Sequence, residues 1–397
     1  MGNYLYSFLK QPVNDMKSGK FFRLYLLLAL IPVVFMSSCT GDKQPTRSVF
    51  LWKTNQELGG PDRNRLDSLG ISHYYIRYAD IRWNPIYRVV EPVSGAEPGY
   101  SFSVPYRVTP VLFITNDVLA NTNTDNLPEL ATHIVKLYTG INSKFAYEYA
   151  SGLMRKFYDY SEGKQMIHLF NHPDTFARRW EKRNRTLLID CDWTVSTRKK
   201  YFELLAEIDR LLPEIEVESS LRLWQYRDYK LSGVPPVNRC LLMCYSTGDP
   251  ADPDEHNAIV DYKTIREYIN HSHYPLDLDI ALPVYSWATL FRNNKFAGII
   301  SPMSLNELVT DTILYFRNDS TRFIVKCDTV MGNTYYRYGD EVHYQGIDAE
   351  ELMNIAAWID KTIDPGANDK ISLFSYDTLY FNQIGDENIK KVFRIFD

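Results

Sequence analysis

From Arg47 onward the chain alternates eight short apolar runs, rich in β-branched and aromatic residues, with stretches of helical spacing. The runs are Val49–Thr54, His73–Ala79, Thr109–Asn116, Thr186–Asp192, Ser220–Tyr226, Arg239–Ser246, Asp279–Thr289 and Ile371–Asp377. Between them, apolar residues recur at helical spacing in Pro61–Leu69, Leu127–Tyr138, Thr197–Leu212, Tyr262–His271, Leu305–Phe316 and Glu350–Thr362, and again in Glu387–Phe396 after the last run. Strands that alternate with helices form right-handed βαβ units and a parallel sheet. Eight such units predict an α/β fold, a (β/α)8 TIM barrel. A doubly wound open sheet is the competitor, and it wants a glycine-rich first turn for a nucleotide. Here the first run leads into Asn-Gln-Glu-Leu-Gly-Gly-Pro, so the barrel is preferred.

Three stretches exceed simple connections and read as insertions after strands 2, 3 and 7. They are residues 81–107, residues 117–185, and a hairpin at about 322–345 formed by Arg322–Thr329 and Tyr335–Tyr344. The first two leave the carboxyl ends of strands, where barrel enzymes build their sites.

The first forty residues read as an address. Lys10, Lys17, Lys20 and Arg23 precede an apolar run from Leu24 to Met36, followed by Ser37-Ser38-Cys39. A basic segment, a short apolar segment and small residues before a cut describe a secretory signal. The apolar run is short for a spanning helix, which needs about 20 residues. A Cys directly after two Ser resembles a bacterial lipoprotein cleavage site. The expected division is therefore a lipoprotein signal over 1–38, a tether over 39–46 and a barrel over 47–397, with Cys39 lipidated. Met16-Lys17 would open a signal of more usual length, so Met16 is a candidate start beside Met1. That places the body in the bacterial cell envelope, tied to a membrane and facing the periplasm or the cell surface.

Formal charge is −5, and the body without its basic leader is more acidic still. That balance argues against nucleic acid as a partner, because such binding rests on neutralised phosphates. Cys191, Cys240 and Cys244 fall in apolar runs and Cys327 in a polar one, with no CxxC spacing, so free buried thiols are expected. Cys240 and Cys244 lie roughly 13 Å apart along a strand, too far to bridge. Asp249, Asp252 and Asp254 crowd one loop without the register of a calcium loop, and His271 and His273 read as surface histidines. No metal and no cofactor is expected.

Strand alternation sorts each run into two faces. Leu188, Asp190 and Asp192 share one, which should be the barrel interior, since two carboxylates do not belong against the helix layer. Leu241, Met243 and Tyr245 share a face in the sixth run, and Ala281, Pro283, Tyr285 and Trp287 in the seventh. The eighth offers Phe374 and Tyr376. Asp80 closes the second run and Asn116 the third. The mouth thus collects acids and aromatics, a mixture suited to a carbohydrate, whose ring faces stack while its hydroxyls bond to carboxylates. Trp52, Trp83, Trp193 and Trp287 follow or end strands and are placed to stack sugars. Trp224 and Trp358 read as core.

Asp190-Cys191-Asp192, Met243-Cys244-Tyr245 and Pro283-Val284-Tyr285 together resemble glycoside hydrolase family 18, the chitinase superfamily. The whole chain also resembles a family of bacterial lipoproteins with an Ile-Asp-x-Asp strand, which lends no activity. The chitinase resemblance implies that Asp192 orients and polarises an acetamido group and that Tyr245 bonds to it. It also implies a Glu two residues after Asp192, which protonates the leaving oxygen. This chain has Thr194 there. Losing a general acid removes about 10²–10⁴ in rate. Asp190 and Asp192, about 6.6 Å apart along the strand, are the candidate catalytic pair, with one pKa raised by the other's charge. Asp80, Asn116, Tyr245, Tyr285, Trp287, Trp193 and Tyr376 are the candidate substrate contacts.

The expected function is a membrane-anchored glycoside hydrolase-like barrel acting on or binding a polysaccharide. The alternatives are a non-catalytic glycan-binding lipoprotein that has lost its acid at Thr194, and a structural envelope lipoprotein. Two facing carboxyls in a deep cleft would favour the first reading. One available acid among aromatic walls would favour the second, and a mouth plugged by residues 81–107 the third.

Overall fold

A computed structural model describes residues 44–54, 58–98, 106–160, 173–311, 315–317 and 320–397. The expected signal, its lipidation point Cys39 and most of the tether lie outside the described residues. Among the described residues no helix is long and apolar enough to cross a membrane.

Eight parallel strands close on themselves. They are β1 (Thr46–Leu51), β2 (His73–Asn84), β4 (Arg107–Ile114), β5 (Thr186–Cys191), β6 (Glu216–Arg222), β7 (Arg239–Met243), β8 (Asp277–Pro283) and β16 (Lys370–Phe374), and the ring is completed by β1 pairing with both β2 and β16. β3 (Val89–Gly95) folds back antiparallel on the extended end of β2. The described part of the first insertion, up to residue 98, therefore contains a hairpin with Ile86 and Tyr87 at its exposed tip. Helices follow the strands, and their first turns carry the caps expected of Asp: Asp261 accepts from the Thr264 amide at 2.7 Å and Asp348 from Glu351 at 2.8 Å.

Each strand splits its side chains between two cores. Val49, Ile76, Leu112, Ile189, Leu221, Leu242, Ile280 and Leu373 face outward and are buried with Leu66, Leu204, Ile208, Ile265, Ile355 and Phe393 of the helix layer. Each such side chain contributes about 1.5–3 kcal/mol relative to exposure. The inward face is polar at its lower end. His73 bonds to Ser48 at 2.8 Å and to Thr109 at 2.9 Å. One turn of alternation further on, Lys370 reaches Asp279 at 2.5 Å and Glu218 at 3.1 Å, while Tyr75 donates to Asp279 at 2.8 Å. Arg239 joins Asp279 from below at 3.0 Å. Burial pushes the Glu218 carboxyl up, against the pull of Lys370.

Several elements differ from the sequence reading. The fifth strand begins earlier, at Glu216, and ends at Arg222, where a short helix over Leu223–Arg227 starts. The seventh run divides at Pro283. From Trp287 the chain leaves the barrel as β9 (Trp287–Arg292) and turns through Asn293 and Asn294, both at positive φ, into β10 (Lys295–Ile300). β9 and β10 join β11 (Tyr315–Arg317), β12 (Arg322–Val325) and β15 (Glu341–Gln345) in a five-stranded sheet. The hairpin read at about 322–345 forms the β12 and β15 part of that sheet, with β13 (Thr329–Met331) and β14 (Thr334–Tyr336) paired separately between them. The helix predicted over Leu305–Phe316 stops at Thr310. Cys191, Cys240 and Cys244 are buried free thiols, while Cys327 is free and exposed.

Candidate functional site

The upper barrel opens into a cavity of about 300 Å³. Strand alternation builds one wall from acids: Asp190 and Asp192 stand on β5 and just past its end, as their shared face requires. β6 runs beside β5 with Ile189 against Ser219, so Ser220 and Arg222 rise next to the two acids. Ser220 donates to Asp190 at 2.7 Å, and Arg222 grips both carboxylate oxygens of Asp192. Burial, then the charge of Asp192, pushes the Asp190 carboxyl up to about 6, and Ser220, Arg222 and Arg77 oppose that rise.

The other wall is aromatic. Phe374 stacks on Tyr245 with ring centres 4.9 Å apart and meets Trp52 edge-on at 5.1 Å. Tyr285 stands edge-on to Tyr245 at 5.9 Å and to Trp287 at 5.4 Å, and Phe113 closes the ring against Trp52 at 6.2 Å. Arg77 lies 4.4 Å over the Trp52 ring and fixes it from behind. Trp287 is the first residue of the inserted sheet, and its indole N–H donates to Gln345 of β15 at 2.7 Å. The inserted sheet thus anchors one edge of the mouth.

Of the residues singled out from the sequence, Asp190, Asp192, Tyr245, Tyr285 and Trp287 line this cavity together. Asp80, Asn116, Trp193 and Tyr376 are not among its lining residues. Asp80 is buried in an ion pair with Arg77 and, at 2.9 Å, with Arg82. Asn116 accepts from Thr197 at 2.6 Å. Trp193 is fully buried, stacked on Tyr201 at 4.8 Å and donating to the Ser232 carbonyl at 3.2 Å. Tyr376 is buried with its hydroxyl donating to Asp62 at 2.6 Å. Thr194 is exposed, its hydroxyl engaged with Ser196 at 2.8 Å. His271 and His273 line a separate surface cavity with the segment Arg227–Leu231. Trp224 and Trp358 are half-buried rather than enclosed.

The functional residue that the sequence pattern did not single out is Arg222, the cation that bonds both carboxylate oxygens of Asp192. The pattern did hold a signal for it: with Glu218 and Ser220 it is the third inward polar residue in a row on β6. Charged side chains in such a row need partners on the neighbouring strands.

No family model and no curated protein sequence matches the chain. Solved structures similar to it include the spore cortex-lytic enzyme SleL of Bacillus cereus, at 13% identity and TM-score 0.46 over 90% of this chain and 75% of that one. The SleL structure from Bacillus megaterium QM B1551 is similar at 10% identity and TM-score 0.47, with the same coverage. A fungal endo-beta-N-acetylglucosaminidase from glycosyl hydrolase family 18 is similar at 11% identity and TM-score 0.38, over 89% of this chain and 98% of that one. The fold class rests on the closed ring of strands described above, and the reading of the site rests on its own residues.

Proposed function

We propose that this chain is a saccharide-binding barrel of the cell envelope, lipid-anchored at Cys39, that holds a glycan at its mouth without cutting it. The observation that carries the reading is the grip of Arg222 on both oxygens of Asp192. A carboxylate held in a bidentate fork is neutralised and oriented, and it is poorly placed to attack or to accept a proton. The exposed position two residues further on is Thr194, whose hydroxyl is far too weak an acid to protonate a leaving oxygen. What remains suits binding. Trp52, Phe374, Tyr285 and Trp287 offer ring faces and edges for sugar C–H groups, and the ion pair, Asp190 and Tyr245 offer donors and acceptors for hydroxyls.

A second reading, hydrolysis with Asp190 as the acid, is favoured by its carboxyl being pushed up to about 6. Calorimetric titration of the full-length protein in detergent against chito-, cello- and xylo-oligosaccharides tests the binding reading. Binding by the wild type that is weakened by Trp287→Ala supports it. No binding by any of them, or equal binding by both proteins, contradicts it.

A further inference from the structure

The Asp192–Arg222 pair is shared by two cavities. Beside the mouth lies a second hollow of about 240 Å³, lined by Asp192, Arg222, Ser246, Leu223, Trp224 and Tyr268. The first three also line the mouth cavity. The ion pair therefore borders two adjoining spaces and is not the end wall of one. We propose that the second hollow is a further saccharide subsite, so that a bound glycan chain crosses the Asp192–Arg222 pair with one ring on each side. This rests on the saccharide-binding reading of the mouth.

Three features of the hollow support it. The mouth cavity sits at the small end of the ligand-pocket range, about 300–1,000 Å³, so a chain of any length must leave it. The hollow has the half-and-half chemistry of the mouth: Trp224 and Tyr268 are half-buried aromatics, facing a rim of Asp192, Arg222 and Ser246. The aromatic floor is also braced. The Arg227 guanidinium lies 4.5 Å over the Tyr268 ring and is itself tied to Asp228 at 2.7 Å, which holds that ring in place before a ligand arrives. The placement follows from the local sequence. β6 stops at Arg222, and the helix over Leu223–Arg227 starts at once, so residues two positions apart bring the ion-pair partner and Trp224 to the same hollow. Because the pair carries no net charge, the subsite needs hydroxyls and a ring face and no ionic group on the sugar.

Chain-length dependence separates this subsite from the mouth. Full-length wild type, Trp224→Ala and Trp224→Phe would be titrated with size ladders of chito-, cello- and xylo-oligosaccharides, with melting temperatures recorded to verify folding. The expected result is that Trp224→Ala weakens the longer members roughly tenfold, leaves the shortest binding member unchanged, and is largely rescued by Trp224→Phe. Equal loss for short and long members, or no loss for either, overturns the subsite while the binding reading stands. If wild type binds no member of any ladder, the binding reading fails and the subsite with it.

Discussion

Arg222 and Asp192 face each other across the β5–β6 edge at the rim of the barrel, with the guanidinium bonded to both carboxylate oxygens. The charge of Asp192 still pushes the Asp190 carboxyl up, and the Arg222 guanidinium opposes that rise. Removing the guanidinium should therefore be read out at Asp190. Arg222→Met is expected to raise the Asp190 titration midpoint above about 6, because Arg222 is among the charges that hold it down. Carbon-detected NMR titration of the carboxyls measures it. A midpoint that stays or falls would mean that the pair is not the charge control described.

Asp190 also links the mouth to stability. Its folded pKa is raised from 3.8 to about 6, so the native state binds the proton more tightly than the unfolded chain. That contribution is fully present below about pH 4 and is lost as pH rises through about 6. Asp190→Asn keeps the Ser220 hydrogen bond and removes the ionisation. The variant should match wild type near pH 4 and exceed it at pH 8 by on the order of 2 kcal/mol in urea unfolding. A variant less stable than wild type at pH 8 would contradict this.

In the lower barrel, Lys370 stands between Glu218 and Asp279, both almost fully buried. Burial works against the Lys370 ammonium, but the two carboxylates outweigh it and hold its pKa above the usual value. Lys370→Met leaves Glu218 without its cation and Asp279 with Arg239 alone, and should cost about 3–5 kcal/mol. Adding Glu218→Gln to it should recover part of the loss, since the burial that pushes the Glu218 carboxyl up no longer opposes a charge. Denaturant unfolding of the single and double variants measures both, and a double variant no more stable than the single would contradict the argument.

The envelope anchor is tested by fractionation. Cys39→Ser should move the protein from the membrane pellet to the soluble fraction and abolish incorporation of labelled fatty acid. Retention in the pellet would remove the anchor from the account.

The barrel was legible because strand and helix periods alternate so regularly, and because parity within Leu187–Trp193 forces Asp190 and Asp192 onto one face. Parity fails where the backbone adds a residue. β2 carries a bulge at Tyr78, visible as the register step from Arg77 to Ala79 against β4. Tyr78 keeps the outward face of Ile76 and stacks on Phe145 at 4.7 Å, while the extra residue brings Asp80 round to the face of Arg77. Nothing in His-Tyr-Tyr-Ile-Arg-Tyr-Ala-Asp announces it. Trp193 shows a different limit: it directly follows Asp192, yet one step of alternation sends it into the helix layer beneath Tyr201. The start of the inserted sheet was readable in principle. Asn293-Asn294 between Phe291-Arg292 and Lys295-Phe296 is a two-residue hairpin turn whose positive φ suits Asn. The pairing of Arg222 with Asp192 was not readable, because it depends on the register between neighbouring strands.

Mass spectrometry of an oligosaccharide panel incubated with the full-length protein decides between holding and cutting a glycan. Glycans retained by the protein should be recovered at their original length. Shortened products formed by wild type and absent with Asp190→Asn would show a working hydrolase and contradict the binding reading.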